Sequence, residues 1–268
     1  MPTSTFGTTR DRLSAVAKAA GEFISVDATA AALGIPGRTA ARTLARWQRQ
    51  GWIARVRRGL YTQRPLESSI GDTALEDPWT LVPQLFGGGY VGGASAAHHW
   101  DLTEQLFRAV FVYTTRDVRH REVVVHGTTF VLKHVSDRLV FGAKTVWRNR
   151  TRLQVSDPHR TIIDLLDDPS MGGGIAHVAD CLGNYLRRPD AAAEKLLAYA
   201  ERAGNGAVFK RLGFLAERAG AREALIDGCA VRLTKGNSKL DPALPCPRLV
   251  RRWRLWIPES WKRKRTGD

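Results

Sequence analysis

Seven arginines and no acidic residue stand between Arg38 and Tyr61, in the stretch RTAARTLARWQRQGWIARVRRGLY. Guanidinium groups gathered this densely repel one another in the free chain. Phosphates in a complex offset that repulsion, and binding releases condensed counterions. On a helical wheel at about 100° per residue, Arg38, Arg42, Arg46 and Arg49 fall within roughly 80° of one another. Ala40, Ala41, Leu44 and Trp47 gather on the opposite side. One face is thus built to pack and the other to meet a polyanion, with Thr39 and Thr43 at its edge.

The elements that must hold this face are legible around it. Leu13, Val16, Ala17 and Ala20 recur at helical spacing and predict a first helix from Arg10 to Ala20. Phe23 to Val26 reads as a short extended segment. Asp27 is the expected N-cap of a helix from Ala28 to Leu33, which Gly34 ends. A tight IPG turn then leads into the arginine-bearing helix, Arg38 to Gln50, stopped by Gly51. Beyond it Trp52, Ala54 and Val56 alternate with Ile53, Arg55 and Arg57, and Arg58-Gly59 supplies a turn before Leu60-Tyr61, a β-hairpin pattern.

Helix, helix, tight turn, helix and basic hairpin is the order of a winged helix-turn-helix, which lays its second motif helix in the major groove of duplex DNA. Arg38, Thr39, Arg42 and Thr43, on the N-terminal half, are the candidates for base edges. Arg46, Arg49, Arg57 and Arg58 are candidates for phosphates.

The charge distribution agrees. Residues 1–66 carry 11 Lys/Arg against 3 Asp/Glu (+8), residues 67–247 carry 22 against 21 (+1), and residues 248–268 carry 8 against 2 (+6). Acids are scarce at the two ends, which a polyanionic partner would explain. The basic C-terminal tail, WKRKR, is either a second polyanion contact or a solubilising segment. No apolar run approaches the roughly 18 residues of a membrane span, and the N-terminus lacks a signal-peptide layout, so a cytoplasmic protein is expected. Cys181, Cys229 and Cys246 are scattered and form no C-x-x-C pair, and they read as small apolar residues.

After a polar link, QRPLESSIGDTALED, the remaining chain reads as a larger α+β domain, giving domains 1–66 and 67–268. Pro78 to Phe86 is a short helix, and GGGYVGG leads into another beginning at Ser95. Val110 to Val155 reads as four or five antiparallel strands. Ser156-Asp157-Pro158 starts a helix running through Leu166. Further helices follow at about Ile175–Leu186, Ala191–Ala203 and Ala207–Ala219, and RWRLWIP reads as a closing strand.

Other chemistries fit less well. GGGYVG satisfies G-x-G-x-x-G, but no strand pattern precedes it and no acid follows about 20 residues on, so its glycines are assigned to a turn. His98 and His99 are adjacent and so face different ways on a helix. A restriction-type nuclease needs an acid-x-lysine pair, and none of the nine lysines has one. Asp157, Asp164, Asp167 and Asp168 cluster round one short helix, where capping and surface solvation account for them. No catalytic residue, metal site or cofactor is assigned.

Taken together, RRGLY, YVGGASAAHHWDLTEQ, VSDPHRTIIDLL, AGNGAVFKRLGFLAE, LDPALP and RWRLWIP, in that order and spacing, resemble the AbiEi-type antitoxins of type IV toxin–antitoxin systems, which are winged-helix regulators. The resemblance runs along nearly the whole chain and departs at SAAHHW, where a leucine and a glycine are expected. It implies repression of the protein's own operon at inverted repeats, and a C-terminal domain that counteracts a nucleotidyltransferase-like toxin. Ser95, His98, Asp157, Arg160, Asp164, Lys210 and Arg211 match family motif positions. Asp157 is expected to cap, Arg160 to pair with an acid, and Lys210 and Arg211, with Arg202 and Arg218 nearby, to form either a solvated face or a functional basic surface. The alternatives are a winged-helix-targeted nuclease and a regulator with a small-molecule sensor domain.

Overall fold

The computed structural model describes residues 8–20, 23–57, 59–63 and 77–262, the side chains of Arg57 and Gln63 excepted. The chain forms two compact units. One comprises Met1–Gln84 with two hairpin tips, Val124–Thr128 and Trp147–Arg152, and the other Leu85–Val123, Thr129–Val146 and Leu153–Asp268.

In the first unit the elements run α1 (Thr9–Ala20), β1 (Phe23–Ser25), α2 (Val26–Leu33), α3 (Gly37–Arg49), β2 (Ile53–Arg57) and β3 (Leu60–Gln63). The strands form a three-stranded sheet in the order β1-β3-β2, with β3 antiparallel to both neighbours. This is a winged helix-turn-helix. Its core is Val16, Ile24, Leu44, Trp47, Ile53 and Tyr61, so α1, α3 and each strand contribute to one apolar seam, against which Val26, Ala32 and Leu33 of α2 pack partly buried.

Two local expectations are corrected. The N-cap of α2 is Ser25 rather than Asp27; its Oγ accepts from the Ala28 N–H at 3.0 Å, and Asp27 sits in the first turn. In the hairpin Ile53 is buried while Trp52 is exposed, and a bulge between Arg55 and Arg57 shifts the register. The polar link between Gln63 and Asp77 and the basic tail beyond Lys262 lie outside the described residues, as does Arg58.

A 3₁₀ turn, Pro78–Leu81, leads into α4 (Val82–Phe86). The elements after it are β4 (Tyr90–Val91), α5 (Gly93–His99), β5 (Ala109–Thr114), β6 (Glu122–Val125), β7 (Thr128–His134), β8 (Ala143–Arg148) and β9 (Thr151–Ser156). These strands form a six-stranded sheet in the order β6-β7-β5-β4-β9-β8. Of the four or five antiparallel strands expected between Val110 and Val155, five are present, but the sheet is mixed: β5 runs parallel to β7, and β4 runs parallel to β9.

The GGGYVGG stretch is also corrected, since Tyr90–Val91 is a central strand and α5 begins at Gly93. The glycines here permit close approach. A Cβ on Gly89 would stand 1.8 Å from the Tyr113 carbonyl oxygen, and one on Gly92 would stand 2.6 Å from the Tyr113 ring.

The helical half comprises α6 (Pro158–Asp167), α7 (Ile175–Leu186), α8 (Ala193–Ala203), α9 (Gly206–Arg218) and α10 (Glu223–Ala230). A small sheet of β10 (Ser238–Lys239), β11 (Arg248–Val250) and β12 (Leu255–Ile257) closes the chain. The helix α6 begins as expected, with Asp157 as N-cap and Pro158 at the first position. Nine of its ten residues are buried, from Pro158 to Leu166, because the other helices pack round it.

Candidate nucleic-acid interface

The turn before α3 is set by Gly34, whose φ of 61° places it in the left-handed region, and by Pro36, which caps α3 without offering a side-chain acceptor. No acidic residue occupies the first turn of α3, and Arg46 and Arg49 occupy its last turn. The positive end of the helix is therefore left for an external anion, while the basic last turn complements the negative end.

Ala40, Leu44 and Trp47 are each 0% exposed, and Arg38, Thr39, Arg42, Arg46 and Arg49 all lie on the exposed side. The amphipathic division read from the sequence is thus realised in space. Among the described residues no carboxylate pairs with Arg38, Arg42, Arg46 or Arg49. Thr43 is half-buried, and its hydroxyl donates back to the Thr39 carbonyl at 2.9 Å. On the wing Arg55 is exposed, a cation that the sequence reading left unassigned; it sits just before the bulge. The Arg57 side chain and Arg58 lie outside the described residues.

Residues 15–62 match the family model described as "Transcriptional regulator, AbiEi antitoxin". The match lies within the N-terminal module, from α1 to β3. The fold of the chain is similar to a crystal structure of the RV2827C protein from Mycobacterium tuberculosis, with a TM-score of 0.62 and 16% identity, covering 95% of this chain and 92% of that one. At that identity the likeness is one of fold. The sequence matches no curated protein. The AbiEi match ends at Thr62, so the likeness seen in VSDPHRTIIDLL and the later segments lies outside it.

Beyond the N-terminal module, most of the motif positions turn inward. Ser95 is buried and its Oγ accepts from the Phe111 N–H at 3.0 Å, joining α5 to β5. His98 is exposed; His99 is half-buried, its ring 4.5 Å from that of Trp100. Asp157 accepts from the Arg160 N–H at 2.8 Å and from the Tyr199 hydroxyl at 3.0 Å. Arg160 pairs with Asp164 at 2.9 Å, with both side chains under 5% exposed. The Tyr90 hydroxyl ties the pair together, donating to Asp164 Oδ1 at 3.1 Å and accepting from Arg160 Nη2 at 3.0 Å. The Phe141 ring lies 4.1 Å from the guanidinium.

Burial pushes the Asp164 carboxyl up to about 6 despite the pull of Arg160. Asp164 Oδ2 and Arg160 Nη1 have no hydrogen-bond partner, and a cavity of about 30 Å³ adjoins both residues.

The expectation of surface solvation fails for Asp164, which is 1% exposed. It fails equally for Lys210 and Arg211, which form neither a solvated face nor a basic surface because they are buried. Lys210 Nζ donates to the Gly236 carbonyl at 2.9 Å. Arg211 donates to the carbonyls of Leu166 at 2.7 Å, Asp167 at 3.2 Å and Lys239 at 2.9 Å, closing the C-terminal end of α6 onto β10. Asp167 pairs with Lys133, which also stands 3.6 Å from Asp168, and Asp168 accepts from the Ser170 N–H, so all four aspartates are engaged by neighbouring donors. Among the described residues no group of His, Cys, Asp and Glu is arranged to hold a metal, and no helix is long and apolar enough to cross a membrane.

Proposed function

We propose that this protein is the antitoxin and autorepressor of the operon that encodes it, acting in the cytoplasm and without catalysis of its own. The helix α3 enters the major groove. Arg38, Thr39, Arg42 and Thr43 meet base edges, and Arg46, Arg49, Arg57 and Arg58 hold phosphates, with two copies of the module filling inverted half-sites. Region 1–66 carries repression, and region 67–268 counteracts a nucleotidyltransferase-like toxin.

The observation that carries this reading is the ladder of exposed, unpaired arginines on α3, backed by the fully buried Ala40, Leu44 and Trp47. Such a face has no internal counter-charge among the described residues, and a duplex supplies one. The wing strand adds a further exposed cation, Arg55, to the same module.

The test is a promoter reporter and a growth assay, scored separately, with the full-length protein and its neighbouring toxin gene co-expressed. Arg42→Ala with Arg46→Ala is expected to release the promoter and leave toxin neutralisation intact. Full repression by that double variant would overturn the assignment of α3. Loss of neutralisation together with repression would overturn the division of labour between the two regions.

A further inference from the structure

The near-neutral balance of residues 67–247 conceals a second stretch with no acid. From Arg138 to Ser156 the chain carries Arg138, Lys144, Arg148, Arg150 and Arg152 and no carboxylate. Most of this stretch is the β8–β9 hairpin, in which β8 is an edge strand of the six-stranded sheet. Its two-residue turn is Asn149-Arg150, with Asn149 at a φ of 51°. A two-residue turn sets Arg148 opposite Thr151, and therefore Trp147 opposite Arg152 and Thr145 opposite Gln154. The Gln154 Nε2–H donates to Thr145 Oγ1 at 3.0 Å, which agrees with that register.

Side chains alternate along a strand, so Thr145, Trp147, Arg152 and Gln154 share one face. Trp147 is 65% exposed there, Arg152 opposite it is exposed, and Arg150 is exposed in the adjoining turn. Arg148 occupies the other face, with its guanidinium 4.8 Å from the Trp79 ring and 3.7 Å from Asp77. The hairpin end is thereby anchored on one side and bare on the other. Among the described residues no carboxylate pairs with Arg150 or Arg152.

An open indole on an edge strand is an association hazard unless it has a use, and flanking charges are the usual guard. Here the guards are all cations, so the surface suits a polyanion. An indole face has a partner in a base only when that base is outside a duplex stack, and aromatic-plus-arginine platforms hold single strands in this manner. Thr145 and Gln154, on the same face as the indole, supply a hydroxyl and an amide of the kind that engage a ribose 2′-hydroxyl.

We propose that Trp147, Arg150 and Arg152 form a single-stranded RNA contact, with one unpaired base stacked on Trp147 and the neighbouring phosphates held by the two arginines. The proposal rests on the hairpin's own residues and does not depend on the operator reading.

The experiment titrates fluorescein-labelled 12-nucleotide RNA of mixed sequence with the full-length protein at low salt, followed by anisotropy. Trp147→Ala is expected to weaken RNA binding at least about fivefold, Trp147→Phe to retain it, and Arg150→Gln with Arg152→Gln to weaken it and flatten its salt dependence. Thermal melting serves as the folding control and should not move, since the indole is mostly exposed. Undiminished RNA binding by Trp147→Ala overturns the proposal. So does loss of RNA binding on Arg42→Ala with Arg46→Ala alone, or equal affinity for a DNA 12-mer of the same sequence. A Trp147→Ala protein that binds RNA normally but no longer captures the toxin assigns the surface to a protein partner and also overturns it.

Discussion

Replacing Asp164 by asparagine keeps the shape of the side chain and removes one buried charge. The carboxyl is pushed from an ordinary value near 3.8 up to about 6, chiefly by burial. Between about pH 4 and pH 6 the folded chain therefore holds a proton that the unfolded chain has released. The stability associated with this group is fully present below about pH 4 and is lost as pH rises through about 6. The shift of roughly two units corresponds to about 3 kcal/mol.

The asparagine retains an acceptor for the Tyr90 hydroxyl, which now donates to Oδ1 at 3.1 Å. Its amide takes the place of Oδ2, beside a cavity of about 30 Å³, which has room for a water molecule. Urea unfolding of wild type and Asp164→Asn at pH 4, 5, 6 and 7 should then show the variant gaining on wild type by about 3 kcal/mol across that range. Comparing the two proteins at each pH cancels the other titrating groups. A constant difference would refute the reasoning. So would a loss of about 3–5 kcal/mol in the variant at pH 7, because attraction to Arg160 would then outweigh the burial of the carboxylate.

Three further outcomes follow from local geometry. Gly213→Ala places a Cβ 2.0 Å from Cζ3 of the fully buried Trp253, so differential scanning calorimetry should register a loss of at least about 1–3 kcal/mol. Ser25→Ala removes the 3.0 Å cap of α2 and should cost about 1 kcal/mol in the N-terminal unit, measured by hydrogen exchange of the α2 amides. Arg211→Met strips the donors from the Leu166, Asp167 and Lys239 carbonyls and should destabilise the second unit by at least about 2 kcal/mol in urea, leaving DNA binding unchanged.

What the sequence disclosed, and what it withheld, divides along the range of the interactions involved. The α3 face was legible because Ala40, Leu44 and Trp47 recur at helical spacing while the arginines fill the other side. Asp157-Pro158 was legible because a cap and a first-turn proline are local signals. The cap of α2 was misplaced because Ser25 and Asp27 are both competent; the choice is made by β1, whose pairing of Ser25 with Leu60 fixes where the strand stops.

A two-residue strand such as Tyr90–Val91 shows no periodicity, and its place between β5 and β9 depends on residues more than 20 positions away. Lys210 and Arg211 look like surface by type. They are buried because the carbonyls of Leu166, Asp167, Gly236 and Lys239, distant in sequence, need donors. Asp164 misleads in the same way, since its partner Tyr90 lies 74 residues upstream.

The central claim is that the arginines of α3 bind duplex DNA, and operator affinity against salt tests it most directly. The promoter fragment of the encoding operon is titrated with wild type, Arg42→Ala and Arg46→Ala over a range of salt concentrations. Arg46→Ala should weaken binding to operator and unrelated duplex alike and reduce the slope of log K against log salt by about 1. Arg42→Ala should cost roughly 1–3 kcal/mol on the operator and relax its preference over unrelated duplex. Wild-type affinity and slope in both variants would contradict the account, because the exposed guanidinium ladder would then have no part in holding the duplex.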